Sequence, residues 1–211
     1  MASIFMVVIC CKRDQRNGCS DWFRQQIPNC PIPYKIFLGD GCTADHEDEV
    51  LLRTEDSYQR LPWKVQEALK WVLAQPEGYS HILKTDCDCK VWPERLLKLD
   101  FFPYDYIGDF ADGKEPILRN SAYAMGGGYI LSRSAAEKVI VANVEKVADL
   151  HNLPPFDRSY AEDEFVGRIL NKTIRLHSKQ FAAHLAGRYC DGPTDHLIVL
   201  GNEWSTDRGR K

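Results

Sequence analysis

The segment from Tyr79 to Asp88 constrains the fold of this chain more than any other part of the sequence. An apolar run through Ile82 and Leu83 stops at two aspartates, Asp86 and Asp88, which are separated by one residue. This is the pattern of a buried strand that ends in a cleft. Side chains at positions i and i+2 of an extended backbone point to the same side, so the two carboxylates should share one face.

Two carboxylates held this close repel each other unless a cation lies nearby. Hard oxygen ligands favour a hard ion such as Mg²⁺ or Mn²⁺, so the pattern indicates a divalent metal that in turn holds an anionic ligand. An Asp-x-Asp triplet alone is weak evidence, because such pairs commonly mark a solvated turn. The rest of the chain must decide between the two interpretations.

The composition restricts the class of protein. A chain of 211 residues with 44% hydrophobic residues can bury a substantial core, and its length favours one domain, 1–211, with a polar tail over about 186–211. A net charge of −3 argues against a nucleic-acid partner. The longest apolar run, Ile4 to Cys11, is too short to span a bilayer and lacks the features of a secretory signal, so we expect no membrane span and a cytoplasmic location.

Two further features of the composition bear on the organisation of the chain. The eight cysteines contain no Cys-x-x-Cys pair, so we interpret them as free thiols that serve as small packing residues. The basic end, Arg208 to Lys211, leaves open that the chain is one module of a longer polypeptide.

Short apolar runs alternate with a helical pattern. Ile4 to Cys11 is typical of a central strand, and Tyr34 to Leu38 of a second strand. Apolar positions at helical spacing predict an amphipathic helix from Leu61 to Val72, which precedes the strand that ends at Asp86. Another strand is predicted over Tyr104 to Asp109. The residues therefore predict an α/β fold.

Several polar segments follow these elements. Lys12, Arg13 and Asp14 end the first strand and are candidates to contact a nucleotide, because ligands of open α/β sheets bind at the carboxyl ends of strands; an ordinary solvated turn is the alternative. The segment Asp45 to Glu49 is interpreted as a solvated loop.

Three segments in the second half of the chain carry local signals. The glycines from Gly126 to Gly128 indicate either a close approach of backbone to a ligand or a bend in a strand. Ser134 and Glu137 have the spacing of a capping box, which predicts a helix with apolar positions as far as Val147. Glu162, Asp163 and Glu164 begin a short helix, where acids usually serve the helix dipole and catalysis is the alternative.

Four segments, in this order, resemble glycosyltransferases of the β-1,3-galactosyltransferase and Fringe type: Asp56 to Lys64, Lys84 to Asp88, Gly126 to Ser132, and Glu162 to Gly167. The resemblance covers roughly Ile4 to Leu185. It implies a GT-A (nucleotide-diphospho-sugar transferase) fold, with a central mixed, mostly parallel sheet flanked by helices. The chain is also similar to glycosyltransferases that large algal viruses encode to glycosylate their capsid protein, which would act in the host cytoplasm.

The resemblance also implies roles for individual residues. Asp88 and Asp86 would bind Mn²⁺ or Mg²⁺ together with His184, for which His177 is the competing choice. Asp163 would be the general base, with Glu162 as the other candidate. The remaining implied role is to bind the UDP-sugar donor, and it falls on Arg13, Asp56, Lys64, Asp86, Gly126 and Gly127.

The expected reaction is the metal-dependent transfer of a hexose from a UDP-sugar to a hydroxyl of a glycan or glycoprotein acceptor, with inversion. The alternatives are a non-catalytic module that binds sugar nucleotides or glycans, and a metal-dependent nucleotidyltransferase or phosphohydrolase. The chain departs from the family at Cys87, which occupies the centre of the Asp-x-Asp, and in the absence of an amino-terminal membrane anchor.

Overall fold

A computed structural model of the chain describes residues 3–110, 123–149, 161–177 and 198–200. Nine strands are found in these ranges: β1 Ile4–Ile9, β2 Tyr34–Leu38, β3 Glu49–Leu51, β4 His81–Asp86, β5 Cys89–Val91, β6 Tyr106–Phe110, β7 Ala124–Ser132, β8 Arg175–His177 and β9 Ile198–Leu200. Seven α-helices accompany them: α1 Lys12–Arg16, α2 Cys19–Gln26, α3 Leu61–Leu73, α4 Pro93–Leu96, α5 Arg133–Val141, α6 Val144–Asp149 and α7 Glu162–Ile169.

Seven of the strands form one sheet in the order β3-β2-β1-β4-β7-β6-β8. Strands β3, β2, β1 and β4 are parallel, and β6 is parallel to β8, whereas β7 runs antiparallel to both β4 and β6. The predicted mixed, mostly parallel sheet is confirmed. Since β7 alone runs the other way in this sheet, its first residues lie beside the carboxyl end of β4.

The sheet is covered by helices on both faces. On one face, Met6 and Val8 of β1 pack with Phe23 of α2 and Leu96 of α4. On the other face, the alternate residues of β1 pack in a cluster with residues of α3, α5 and α7. Every residue of β1 is buried, which explains why its sequence is continuously apolar rather than alternating.

The helix after β7 begins earlier than predicted. The N-cap is Ser132, whose Oγ accepts a hydrogen bond from the N–H of Ala135 at 3.1 Å, and not Ser134. The capping-box prediction was wrong because the chain passes from strand to helix without a loop. The helix ends at Val141, because the next residue, Ala142, has an extended ψ of 139°, so the predicted apolar stripe is divided between α5 and α6.

Two predicted surface segments contribute to the packing. Glu49 begins β3, and its side chain, only 1% exposed, pairs with Arg24 at 2.6 Å; the prediction of a solvated loop was therefore wrong for this residue. Within the predicted polar tail, residues 198–200 form β9, which pairs with β5. The other residues of that tail, and His184, lie outside the described ranges.

Every cysteine in the described ranges is a free thiol, as predicted: Cys10, Cys11, Cys19, Cys30, Cys42, Cys87 and Cys89. Cys190 lies outside those ranges.

Candidate functional site

A cleft of about 400 Å³ opens at the carboxyl ends of β1 and β4. Its walls come from the end of β1, the start of α1, the 3-10 turn Tyr58–Arg60, the start of α3, and the turn that follows β4. The volume is in the range of small-molecule sites. The lining residues are Ile9, Cys11, Lys12, Arg13, Asp14, Asp56, Ser57, Tyr58, Leu61, Lys64, Asp86 and Asp88.

Four carboxylates line the cleft, those of Asp14, Asp56, Asp86 and Asp88, and Asp56 is paired with Lys64. Burial raises the pKa of Asp88 to about 6, and the charges of Asp86 and Asp14 contribute to the rise. Burial and the neighbouring carboxylates therefore outweigh the positive charge of Lys84, which lowers the pKa of Asp88. The donor set, carboxylate oxygens in an acidic cleft, fits a hard divalent cation such as Mn²⁺ or Mg²⁺.

Cys89 is the third potential ligand of this cluster. Ligand atoms of Asp86, Asp88 and Cys89 all lie within 4.8 Å of one another. Burial raises the pKa of Cys89 well above its ordinary value, as do the charges of Asp86 and Asp88. A thiol that stays protonated is a poor metal ligand, and Sγ of Cys89 instead donates a weak hydrogen bond to Oδ1 of Asp88 at 3.8 Å.

Asp56 and Lys64 form the floor of the cleft. Lys64 Nζ donates to Oδ1 of Asp56 at 2.6 Å and to the carbonyl of Cys10 at 2.7 Å, and the Lys12 N–H donates to Oδ2 of Asp56. Both side chains are almost fully buried. Gly39 lies against this pair, since a Cβ there would come within 2.8 Å of Oδ1 of Asp56. The charges of the pair therefore fix the end of β1 relative to α3, while both residues still line the cleft.

Arg13 lies at the mouth of the cleft. Its side chain is 80% exposed, and its Nε donates to Oδ1 of Asp14 at 3.0 Å. Cys11 Sγ donates to the other oxygen of Asp14 at 2.9 Å. An exposed guanidinium at this place can reach an anion in the cleft, so the position is compatible with the predicted contact to a nucleotide.

The glycine segment lies next to the end of β4. Thr85 pairs with Gly128 across the sheet, and the Thr85 hydroxyl donates to the carbonyl of Gly127 at 2.9 Å. Gly126 precedes them in β7. The segment is a strand whose first residues reach the same edge of the sheet as the cleft carboxylates.

The acidic start of α7 is connected to the cleft through Lys84. Lys84 Nζ lies 2.9 Å from Oδ1 of Asp86 and 3.1 Å from Oε2 of Glu162. The Tyr129 hydroxyl donates to Oε1 of Glu162. Burial opposes the positive charge of Lys84, but Asp86 and Glu162 outweigh it and raise the pKa of this lysine.

Asp163 is the freer of the two candidate bases. Glu162 is buried against Lys84 and Tyr129, whereas Asp163 is less enclosed, and its Oδ1 accepts the N–H of Glu164 at 2.9 Å. Burial raises the pKa of Asp163 above its ordinary value of 3.8. Burial also raises the pKa of Glu162, so the two candidates differ in exposure rather than in the direction of their pKa shifts: Asp163 is half-buried, whereas Glu162 is buried.

Sequence reasoning left Lys84 and Tyr58 without a role. Tyr58 is 62% exposed and lines the cleft. Partial burial raises the pKa of Tyr58, and the charges of Asp163 and Glu162 at the start of α7 raise it further. An aromatic residue inside the segment from Asp56 to Lys64 was the available signal for Tyr58, and a lysine inside an otherwise apolar strand was the signal for Lys84.

His184, the predicted histidine ligand, lies outside the described residues. The backbone of His177 ends β8, which is separated from β4 by β7 and β6. At a strand spacing of about 4.8 Å, its backbone is roughly 14 Å from that of β4.

Comparison with known proteins adds to this geometry. A galactosyltransferase family model matches residues 42–100, the part of the chain that contains Asp56, Lys64, Asp86 and Asp88. Comparison with curated proteins gives no match. Among solved structures, a glycosyltransferase involved in the glycosylation of the major capsid of PBCV-1 superposes with a TM-score of 0.55 at 14% identity, covering 93% of this chain and 92% of that chain.

The galactosyltransferase LgtC, solved with donor and acceptor sugar analogues, gives a TM-score of 0.54 at 9% identity, with 93% of this chain and 86% of that chain covered. The chain has a GT-A glycosyltransferase fold. An active-site variant of LgtC matches this GT-A chain in the same way, with a TM-score of 0.52 at 10% identity over 93% of this chain and 86% of that chain. The resemblance stated from the four sequence segments is thus confirmed at the level of the fold.

None of the helices within the described ranges has the length and hydrophobicity that a membrane span requires.

Proposed function

We propose that this protein is a metal-dependent glycosyltransferase that transfers a hexose from a UDP-sugar to a hydroxyl of a glycan or glycoprotein acceptor, with inversion. The observation that carries the proposal is the arrangement at one edge of the sheet. The cleft contains the Asp86 and Asp88 carboxylates. The buried Lys84 connects Asp86 to Glu162, which lies in the same helix turn as Asp163. The GT-A fold supports the assignment to the glycosyltransferases.

The donor would occupy the cleft at the ends of β1 and β4. Arg13 lies at the mouth of that cleft, where it can pair with a phosphate. Asp56 and Lys64 hold the floor, and Gly126 and Gly127 bring backbone to its edge. Because the matching family model is that of the galactosyltransferases, UDP-galactose is the first donor to test.

Asp86 and Asp88 would hold Mn²⁺ or Mg²⁺, and His184 is the further ligand that the family resemblance implies. When bound, the ion supplies positive charge to the diphosphate of the donor. The protein supplies the ligands in a fixed turn, because Cys87 N–H donates to the carbonyl of Ile9 at 2.9 Å and Cys89 begins β5.

Asp163 would act on the acceptor. The bond between the anomeric carbon and the diphosphate oxygen breaks, and its electron pair leaves with UDP. The acceptor oxygen forms the new bond to that carbon from the opposite side, and its proton passes to Asp163. Burial raises the pKa of Asp163, so this carboxylate takes the proton more readily than an exposed aspartate would.

The test of this role is Asp163→Asn, which keeps the shape of the side chain and removes the base. Turnover should fall by about 10²- to 10⁴-fold, whereas Mn²⁺-dependent binding of UDP should stay within about twofold, because Asp163 is absent from the cleft wall. Glu164→Gln is the matched control: it lies in the same helix turn but pairs with Arg168 at 3.0 Å.

Two results would contradict the assignment. Unchanged turnover of the Asp163→Asn protein would exclude this residue as the base. A product that retains the anomeric configuration of the donor, read from the proton coupling constants in NMR, would exclude the single displacement in which Asp163 acts.

A further inference from the structure

Lys84 places a charge in the interior of the sheet. It lies in β4, which pairs with β1 on one side and β7 on the other, and its side chain is only 1% exposed. A lysine is almost never found in such a place unless it is paired. Its neighbours therefore have to supply the compensating charge, and they determine what the lysine does.

The two carboxylates that pair with Lys84 come from different parts of the site. Asp86 is two residues further along β4, so its side chain points to the same side of the strand. Glu162 belongs to the first turn of α7, which packs against that face of the sheet. One ammonium group thus joins the cleft to the helix turn that carries Asp163.

Glu162, at the α7 end of this connection, is held in place by two contacts. The Tyr129 hydroxyl donates to Oε1 of Glu162, and the ammonium of Lys84 contacts Oε2, so both oxygens of Glu162 are held. Tyr129 is itself fully buried and lies opposite Lys84 in the pairing of β4 with β7. Lys84 also lies 5.7 Å from the centre of the Tyr129 ring. These contacts give the lysine one position between the two carboxylates.

We propose that Lys84 is a positioning residue: shared between Asp86 and Glu162, it sets the orientation of the metal-binding carboxylate and holds the first turn of α7, with Asp163, at a fixed separation from it. This inference rests on the proposed function, because the metal site and the base are those proposed there. It predicts that Glu162, which does not line the cleft, affects metal binding, and that it does so through Lys84.

The test is a titration of the full chain with Mn²⁺ alone, in which free Mn²⁺ is measured by electron paramagnetic resonance. In Glu162→Gln, Lys84 pairs with Asp86 alone and competes more strongly with the metal, so the Kd for Mn²⁺ should rise by about tenfold. Adding Glu162→Gln to Lys84→Met should change the Kd by less than about threefold, because the connection is then already broken. Glu164→Gln, which removes a charge from the same helix turn, should leave the Kd within about twofold.

A second variant allows the inference to be tested even if the Lys84→Met protein does not fold. Tyr129→Phe keeps the lysine but removes the hydrogen bond that orients Glu162 towards it, so the pairing of Glu162 with Lys84 should weaken and the Kd for Mn²⁺ should rise, by a smaller factor than in Glu162→Gln. In turnover assays, Glu162→Gln should lower kcat as well as metal affinity. A purely structural role of Glu162 would leave the Mn²⁺ affinity of the folded protein unchanged.

The outcomes separate this inference from the proposed function. Mn²⁺ binding by the wild type, combined with an unchanged Kd in both Glu162→Gln and Tyr129→Phe, would overturn the role of Lys84 alone. An equal effect of Glu162→Gln with and without Lys84 would overturn it as well, because the charge would then act directly through space. No Mn²⁺ binding by the wild type would overturn the proposed metal site and this inference together.

Discussion

Replacing Asp88 with asparagine should stabilise the metal-free protein at neutral pH. Burial, followed by the charges of Asp86 and Asp14, raises the pKa of this carboxyl from 3.8 to about 6. The folded state therefore holds the Asp88 proton more tightly than the unfolded state does. As the pH rises from about 4 to about 6, this group makes the folded protein progressively less stable, and above that range the penalty stays constant.

The size of the effect follows from the pKa difference. At about 1.4 kcal/mol per pKa unit, the rise of Asp88 sets an upper bound of roughly 3 kcal/mol on the penalty at pH 7. The turn relaxes when the charge is removed, and asparagine hydrogen bonds differently, so we expect a gain of about 1 to 2 kcal/mol. The gain should vanish towards pH 4, where Asp88 is protonated and resembles asparagine.

Urea unfolding of the wild type and of Asp88→Asn, at several pH values and with a chelator present, measures the difference directly. With Mn²⁺ added, the order should reverse, because the metal stabilises only the protein that binds it. A variant that is no more stable than the wild type at pH 7, or a difference that does not change with pH, would refute the reasoning that the charge of Asp88 is buried without enough positive charge to compensate it.

Three further changes test the site and its support. Lys64→Met should lower the free energy of unfolding by about 3 to 5 kcal/mol, since it leaves Asp56 buried without its ion pair; the matched change at the exposed pair, Lys70→Met, should cost less than about 1 kcal/mol in the same urea titration. Ser132→Ala should cost about 1 kcal/mol through loss of the α5 cap, and an equal cost for Ser134→Ala would contradict the assignment of the cap. Arg13→Ala should weaken UDP binding by about 3- to 10-fold in calorimetry, with no change in urea unfolding, because this side chain is 80% exposed; unchanged affinity would remove Arg13 from the donor site.

Much of the fold could be predicted because its strongest signals are local. The continuous apolar run of β1 and the helical spacing of α3 reflect burial that each segment meets by itself, and both elements were found. Predictions were wrong where a contact between distant segments determines the local structure or the burial of a residue. Ser132 became the cap because β7 runs directly into α5, and Glu49 was buried because Arg24 reaches it from α2.

In the candidate site, too, local signals could be recognised from the sequence, whereas contacts between distant segments could not. The adjacent carboxylates Asp86 and Asp88 could be recognised from their spacing, and the structure places them in one cleft with Arg13, Asp56 and Lys64. The link from Asp86 through Lys84 to Glu162 could not be read from the sequence. It depends on the position of α7 on the sheet, and a lysine in a strand pattern carries no information about which carboxylates it will meet.

The most direct test of the account is the release of free UDP from a panel of UDP-hexoses, beginning with UDP-galactose, in the presence of Mn²⁺ and of glycan acceptors. A glycosyltransferase predicts that the wild type releases UDP from at least one donor, that chelation of the metal stops the release, and that Asp88→Asn and Asp163→Asn both lose it. Binding of a donor without any release would identify a sugar-nucleotide binding module, and formation of UMP or of a sugar phosphate in place of UDP would identify a nucleotidyltransferase or phosphohydrolase. Either result would contradict the proposed transfer reaction.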